Sequence, residues 1–261
     1  MMGGVMRALV AVLWVLGACA DDPVHSGKVT DRWGKPIAGA VVGVTGSANQ
    51  IVSGADGRFT VPVQQGDVTV RVGKPGFIKQ SQTLSAPSGD EPPSALVVAL
   101  YPDPETNGFY AVGSTEYAAL GTSAVKTVGT EIRAFNGLVD VGTTRVRSKR
   151  AAEFVFSSNA RRSELKQLGL QLNKLKFVET ATLPGVLGET PVQLNMWVAD
   201  STVPFDLTGM ETDDDYSIKT RAPLEPGMYA FHTQGILTSV DAGAMDKLPN
   251  EMRIAFPFEV R

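Results

Sequence analysis

The sequence predicts an all-β protein made of two β-sandwich domains in tandem. Three observations predict it. Short segments of period-2 apolar alternation recur along the chain, and period 2 is the signature of a half-buried strand. Gly, Pro, Asn and Asp punctuate them at short intervals, as turns require. A proline-bearing stretch, Pro102-Asp103-Pro104-Glu105-Thr106-Asn107, lacks apolar period and divides the β-rich chain in two. The domains are therefore expected at 25–101 and 108–261, with 102–107 as a short, fairly stiff connector.

In the first domain, Gly27 to Thr30 and Ala40 to Val44 read as strands, separated by the turn-rich Asp31 to Pro36. Asp56-Gly57 reads as a hairpin turn, because glycine accepts the positive φ that tight hairpins need. Arg58 to Val61 follows it. Asp67 to Val72 sets Val68, Val70 and Val72 on one face against Thr69 and Arg71 on the other. Ile78 to Leu84 and Ala95 to Leu100 complete about seven strands, the pattern of a small sandwich.

In the second domain, Gly108–Val112, Glu131–Phe135, Leu138–Val146, Ala152–Phe156, Val192–Val198, Met228–Thr233 and Ile254–Val260 read as strands, with Asn136-Gly137 as a second hairpin signal. In the last of these Ile254, Phe256, Phe258 and Val260 share a face. Ser163 to Leu168 is expected to be helical, starting on a serine N-cap candidate and ending before Gly169. Leu170 to Phe177 alternates without declaring which face is apolar. An Ig-like or jelly-roll-like sandwich is expected for the whole of 108–261.

The N-terminus bears on location. Met1 to Arg7 carries one positive charge, and Ala8 to Val15 is an apolar run too short to span a bilayer, which takes about 20 residues. Charge, short apolar run and small residues form the layout of a secretory signal. Leu16-Gly17-Ala18-Cys19 ends it and resembles the lipobox of bacterial lipoproteins. The resemblance implies a signal peptide over 1–18, cleavage before Cys19, lipid (palmitate among it) on that cysteine and a tether over 19–24. Cys19 is the single cysteine of the chain, so no intramolecular disulfide competes for it. Each buried methylene of an attached chain contributes about 0.8 kcal/mol to anchoring, and stable anchoring takes more than one chain. The expected location is the bacterial cell envelope. Ala20 after the cysteine, in place of Asp, leans toward the outer membrane, on its periplasmic or surface face.

The residues of the first domain resemble the carboxypeptidase regulatory-like family, which has a transthyretin-like sandwich fold. Gly27, Val29, Asp31, Gly34, Pro36, Ile37, Gly39, Ala40, Val42 and Val44 carry the resemblance, followed by Asp56, Gly57 and Phe59, and by Gly76-Phe77. The family implies a fold and, in general, a non-catalytic module. The purine-metabolising transthyretin-like enzymes have histidines and a C-terminal Tyr-Arg-Gly-Ser signature, and neither is matched here.

Without residues 1–18 the chain keeps 23 basic and 27 acidic residues, a formal charge of −4. That balance gives no electrostatic case for nucleic acid. Several groups merit weighing as sites. Glu211, Asp213, Asp214 and Asp215 could offer oxygens to calcium, yet lack the EF-hand spacing and read first as a solvated loop. His232 sits in a strand, and His25, the other histidine, is far away in sequence, so a structural role leads over a zinc or catalytic one. Arg145, Arg147, Lys149 and Arg150, with Arg161 and Arg162, could meet anionic headgroups or polysaccharide, though Arg145 and Arg147 also fit the outer face of a strand. Trp33 in its turn could stack on a sugar, whereas Trp197 reads as core. No Gly-x-Ser-x-Gly elbow, His-Glu-x-x-His or phosphate loop occurs. The leading expectation is a non-catalytic, lipid-anchored envelope protein that binds or scaffolds an envelope protein or polysaccharide, without catalytic residues, metal or cofactor. The alternatives are a carbohydrate-binding surface module and a hydrolase with its site in the second domain.

Overall fold

The computed structural model describes residues 24–85, 95–130, 132–142, 144–147, 150–159, 163–164, 167, 169–212, 214–233, 235–238 and 253–261. The expected signal peptide, Cys19 and most of the tether lie outside the described residues, as do Lys149, Arg161, Arg162 and Asp213. Ser163, Glu164 and Gln167 carry helical backbone; the rest of that segment is not described.

The described structure is β throughout, apart from those three helical residues, and both halves are sandwiches. The first contains β1 (Val24–Asp31), β2 (Val41–Val44), β3 (Gln50–Val52), β4 (Arg58–Pro62), β5 (Val68–Gly73), β6 (Phe77–Ile78), β7 (Gln80–Leu84) and β8 (Leu96–Pro102). One sheet has the order β4-β1-β8-β6 and the other β3-β2-β5-β7. β1 and β8 run parallel, pairing Gly27 with Leu96 through to Asp31 with Leu100. Val29, Val42, Val61, Val70, Val72, Val98 and Leu100 meet between the sheets as one dry core. The alternation of 67–72 is the reason: Val68, Val70 and Val72 are buried, and Arg71 is exposed. Gly27 lies against the Phe59 ring; a Cβ there would come within 2.2 Å of it.

Two expectations fail in this half. Gly57 does have positive φ, 77°, but Asp56-Gly57 does not close a hairpin. It joins β3 to β4, which belong to opposite sheets, so the turn carries the chain across the sandwich. The run Ile78 to Leu84 is likewise two strands, β6 pairing with β8 and β7 with β5.

The second half contains β9 (Gly108–Val112), β10 (Tyr117–Ala119), β11 (Ser123–Gly129), β12 (Ala134–Leu138), β13 (Arg145–Val146), β14 (Ala151–Ser157), β15 (Gln171–Gly185), β16 (Gly188–Thr202), β17 (Phe205–Gly209), β18 (Asp215–Pro223), β19 (Gly227–His232) and β20 (Ile254–Val260). The smaller sheet has the order β10-β9-β14-β18-β17, the larger β11-β12-β16-β15-β19-β20-β13. β11 also pairs with β20, through Ser123–Ala255 and Ala124–Ile254, so six strands of the larger sheet close into a ring.

That closure explains the ambiguous face of 170–177. Leu172 packs outward against the smaller sheet with Phe109, Phe154, Phe231 and Phe258. Leu175 packs inside the ring with Leu138, Met228, Ala230, Ile236 and Leu237. Where β15 is covered on both faces, at Leu172–Leu175, it has no polar side to reveal its orientation. Asn136-Gly137 is not a turn either, and 138–146 is not one strand: Leu138 ends β12 and Arg145–Val146 form β13. Both residues lie within β12, where Asn136 is buried and accepts a hydrogen bond from Thr127 Oγ1 at 2.7 Å. The glycine serves close approach: a Cβ on Gly137 would stand 2.7 Å from the Trp197 carbonyl oxygen. β15 and β16 form a hairpin of two 15-residue strands whose tip exposes Val186 and Leu187.

Candidate binding cleft between the two sandwiches

The end of β1 builds the junction between the sandwiches. Asp31 Oδ1 accepts the backbone N–H groups of Trp33 (2.9 Å) and Lys35 (2.8 Å), and Gly34 supplies φ of +90°. This side-chain-closed turn sends Arg32 and Trp33 toward the second sandwich. Trp33 donates its indole N–H to the Gly113 carbonyl at 3.0 Å. Its ring meets Tyr117 edge-on, centroids 5.7 Å apart.

Arg32 reaches Glu153 on β14 with two donors, Nε to Oε1 at 3.2 Å and a second guanidinium nitrogen to Oε2. Tyr101, on β8, donates its hydroxyl to the same carboxylate, and the Arg32 guanidinium lies 5.6 Å from the Tyr101 ring centroid. Burial by itself would raise the Glu153 carboxyl; the hydrogen bonds from Arg32 and Tyr101 outweigh it and hold the group below the usual carboxylate range. Burial, with Glu153 beside it, pushes the Tyr101 phenol up to about 12. The trio is therefore ionised as Arg⁺ and carboxylate, with a neutral tyrosine, at every physiological pH.

Beside this trio runs an apolar seam. Ile78 of the first sandwich is buried with Val155 and Met210 of the second, flanked by Tyr101, Tyr110, Val112 and Tyr117. At another point Glu211 accepts a hydrogen bond from Ser81 and faces Arg71 at 4.0 Å. The acidic turn thus spends its first carboxylate on the neighbouring sandwich. Asp215 is buried, taking the Thr212 hydroxyl at 2.7 Å. Among the described residues no group of three His, Cys, Asp or Glu side chains could hold a metal.

The seam borders a cleft of about 660 Å³. Arg32 and Trp33 line it from the first sandwich. The segment Gly113–Ala118, with Arg145, Arg147, Arg150 and Glu153, lines it from the second. Arg145 is on β13, with Val146 turned into the core and Arg145 exposed. The outer-face reading of this basic run and the anion-binding reading are thus compatible, since the outer face of β13 is a wall of the cleft. Arg145 pairs with Glu259 at 3.5 Å, and Glu259 also pairs with Arg261 at 2.9 Å.

Other predicted candidates lie elsewhere. His25 is buried in β1, not at a loose edge: it alternates inward with Gly27 and Val29. His232 is buried, its Nε2 2.8 Å from Asn173 Oδ1, and Asn173 in turn donates to Thr202 Oγ1 at 3.2 Å. Burial pushes its pKa down to about 4. With a polar amide as its partner, the ring is neutral and Nε2 carries the proton. Trp197 is half-buried at the wall of the ring, its edge against Phe177. Arg32, Tyr101, Tyr117 and Glu153 were not singled out from the sequence. Each has the ordinary look of a turn cation or an outward strand residue, and only the junction gives it a partner.

The model of the carboxypeptidase regulatory-like domain family matches residues 26–100. No curated protein matches the chain. No helix among the described residues is long and apolar enough to cross a membrane. The first sandwich, residues 26–100, is a carboxypeptidase regulatory-like domain, and the β-rich second sandwich adjoins it through the Arg32–Glu153 clamp.

Proposed function

We propose that this protein is a non-catalytic, lipid-anchored component of the bacterial envelope, and that it binds another envelope component in the cleft between its sandwiches. The observation that carries the proposal is the polarity of β1. Val24 begins the strand at one end of the first sandwich, paired with Pro62. Asp31 ends it at the other, beside Leu100 of the parallel β8, from which the chain passes to the second sandwich. The eight residues of β1 span about 26 Å at a strand rise of 3.3 Å per residue. The tether from a lipid on Cys19 would join the sandwich at Val24, the end of β1 remote from the cleft. The first sandwich then acts as a spacer holding the cleft away from the anchoring membrane and open to the envelope space.

A carbohydrate ligand is favoured by one specific observation: Trp33 and the arginines of 145–150 line the same cleft. Aromatic faces and planar hydrogen-bonding cations are the two kinds of group that grip sugars and their acidic substituents.

The test is fractionation of bacteria expressing the full chain while fed an alkyne-tagged fatty acid. The native chain is expected in the membrane fraction and labelled, and Cys19→Ser unlabelled. A Cys19→Ser protein that still incorporates the tag contradicts the anchoring reading.

A further inference from the structure

We propose that the cleft takes an acidic polysaccharide, a glycan bearing carboxylate or phosphate groups. The proposal rests on the binding reading above and specifies its ligand. Among the described residues four arginines line the cleft, Arg32, Arg145, Arg147 and Arg150, against two acids, Glu116 and Glu153. The chain as a whole is net negative, so this concentration of cations runs against its average. Glu153 is fully engaged by Arg32 and Tyr101. Glu259 is shared between Arg145 and Arg261. Arg147 is exposed, and no described carboxylate forms an ion pair with it. Arg147, next to β13, therefore presents to the cleft a guanidinium charge that no described carboxylate neutralises.

Guanidinium groups bind carboxylate and phosphate through paired N–H donors, a geometry that selects planar or tetrahedral oxyanions over neutral hydroxyls. Trp33 and Tyr117 line the same cleft as an edge-to-face pair. Ser114 and Thr115 are also in the lining, where their hydroxyls can exchange hydrogen bonds with those of a sugar. The volume, about 660 Å³, falls in the range of sites that enclose small ligands or a few units of a polymer. Lipid headgroups offer the same anionic chemistry. They are disfavoured by position, because the cleft lies at the Asp31 end of β1 and the N-terminal tether joins at the other end, at Val24.

The test uses the mature chain, residues 19–261, carrying Cys19→Ser so that it stays in water. Affinity is measured by calorimetry against polygalacturonate as carboxylate polymer, a phosphomannan as phosphate polymer, dextran as neutral polymer, and phosphatidylglycerol vesicles. The expected result is binding to one or both acidic polymers, with no measurable binding to dextran or vesicles. Arg147→Ala and Trp33→Phe should each weaken it at least tenfold, while circular dichroism and the melting temperature of Arg147→Ala stay unchanged. Dextran binding that Trp33→Phe weakens and Arg147→Ala does not would overturn the acidic assignment and leave the cleft as the site. Vesicle binding without polysaccharide binding would overturn the glycan assignment. Acidic-polymer binding unaffected by Arg147→Ala would remove the ligand from the cleft, and with it both this proposal and the site proposed above.

Discussion

Replacing Glu153 by Ala removes the carboxylate that Arg32 and Tyr101 share, and the consequence can be sized from the geometry. A fully exposed ion pair contributes about 0–1 kcal/mol, whereas breaking a buried one costs about 3–5 kcal/mol, because the surviving charge is left without a partner. Here the Glu153 side chain is 15% exposed and that of Arg32 36%, which puts the pair between the two cases. Two hydrogen bonds from Arg32 and one from Tyr101 end on the carboxylate. The expected loss is about 2 kcal/mol, taken as roughly one net charged hydrogen bond at the middle of its range. The assay is urea unfolding followed by tryptophan fluorescence, which is well suited to this chain. Past residue 18 the tryptophans are Trp33 in the first sandwich and Trp197 in the second, so single-tryptophan variants report each half. A double-mutant cycle with Arg32→Ala isolates the pair term. Glu153 titrates below the usual carboxylate range, so its contribution is complete above about pH 4.3, the ordinary value, and is lost as pH falls through the lower folded value. A coupling energy under about 0.5 kcal/mol at pH 7 would refute the reasoning and reduce the pair to surface decoration.

Two further expectations concern the second sandwich. His232 is buried and neutral with its pKa lowered from 6.5 to about 4, so the unfolded chain takes up a proton that the folded chain refuses. Stability from this site is complete above about pH 6.5 and falls by about 3 kcal/mol as pH drops to 4; His232→Gln should flatten that slope in chemical denaturation, and an unchanged slope would contradict the burial argument. Gly137→Ala would force a Cβ to 2.7 Å from the Trp197 carbonyl oxygen and 2.8 Å from Met196 Sδ. The expected cost is about 1–3 kcal/mol, seen as a lower melting temperature and faster amide exchange across β12 and β16, and a neutral outcome would mean that β16 does not approach β12 as described.

The parts of the fold that were legible are those where one face is wet. Val68, Val70 and Val72 are buried and alternate with the polar Thr69 and Arg71; in β20 the shared face of Ile254, Phe256, Phe258 and Val260 was legible although Ala255 and Pro257 between them are buried too. Where both faces are covered, the polar half of the pattern fades, as at Leu172–Leu175 in β15 and in β19, whose residues Met228 to His232 are all buried. Glycine misled twice for opposite reasons. Gly57 has the turn conformation but links strands of different sheets, which only long-range pairing decides. Gly137 sits in a strand because a neighbouring backbone needs its missing Cβ. The candidate cleft was visible only in fragments. Trp33 and Arg147 were both noticed, each with an ordinary explanation, and no local pattern joins them. Arg32 and Glu153 are 121 residues apart, and their pairing depends on how two independently patterned sandwiches meet.

The clamp and the apolar seam together require the two sandwiches to move as one body, and the cleft exists only if they do. Spin labels at Val52→Cys in β3 and Leu207→Cys in β17, both exposed positions, on a Cys19→Ser background, measure this directly by pulsed electron spin resonance. A single narrow distance distribution is expected, broadening when Arg32→Ala and Glu153→Ala are added. A broad distribution in the unaltered junction would contradict a fixed cleft between the sandwiches.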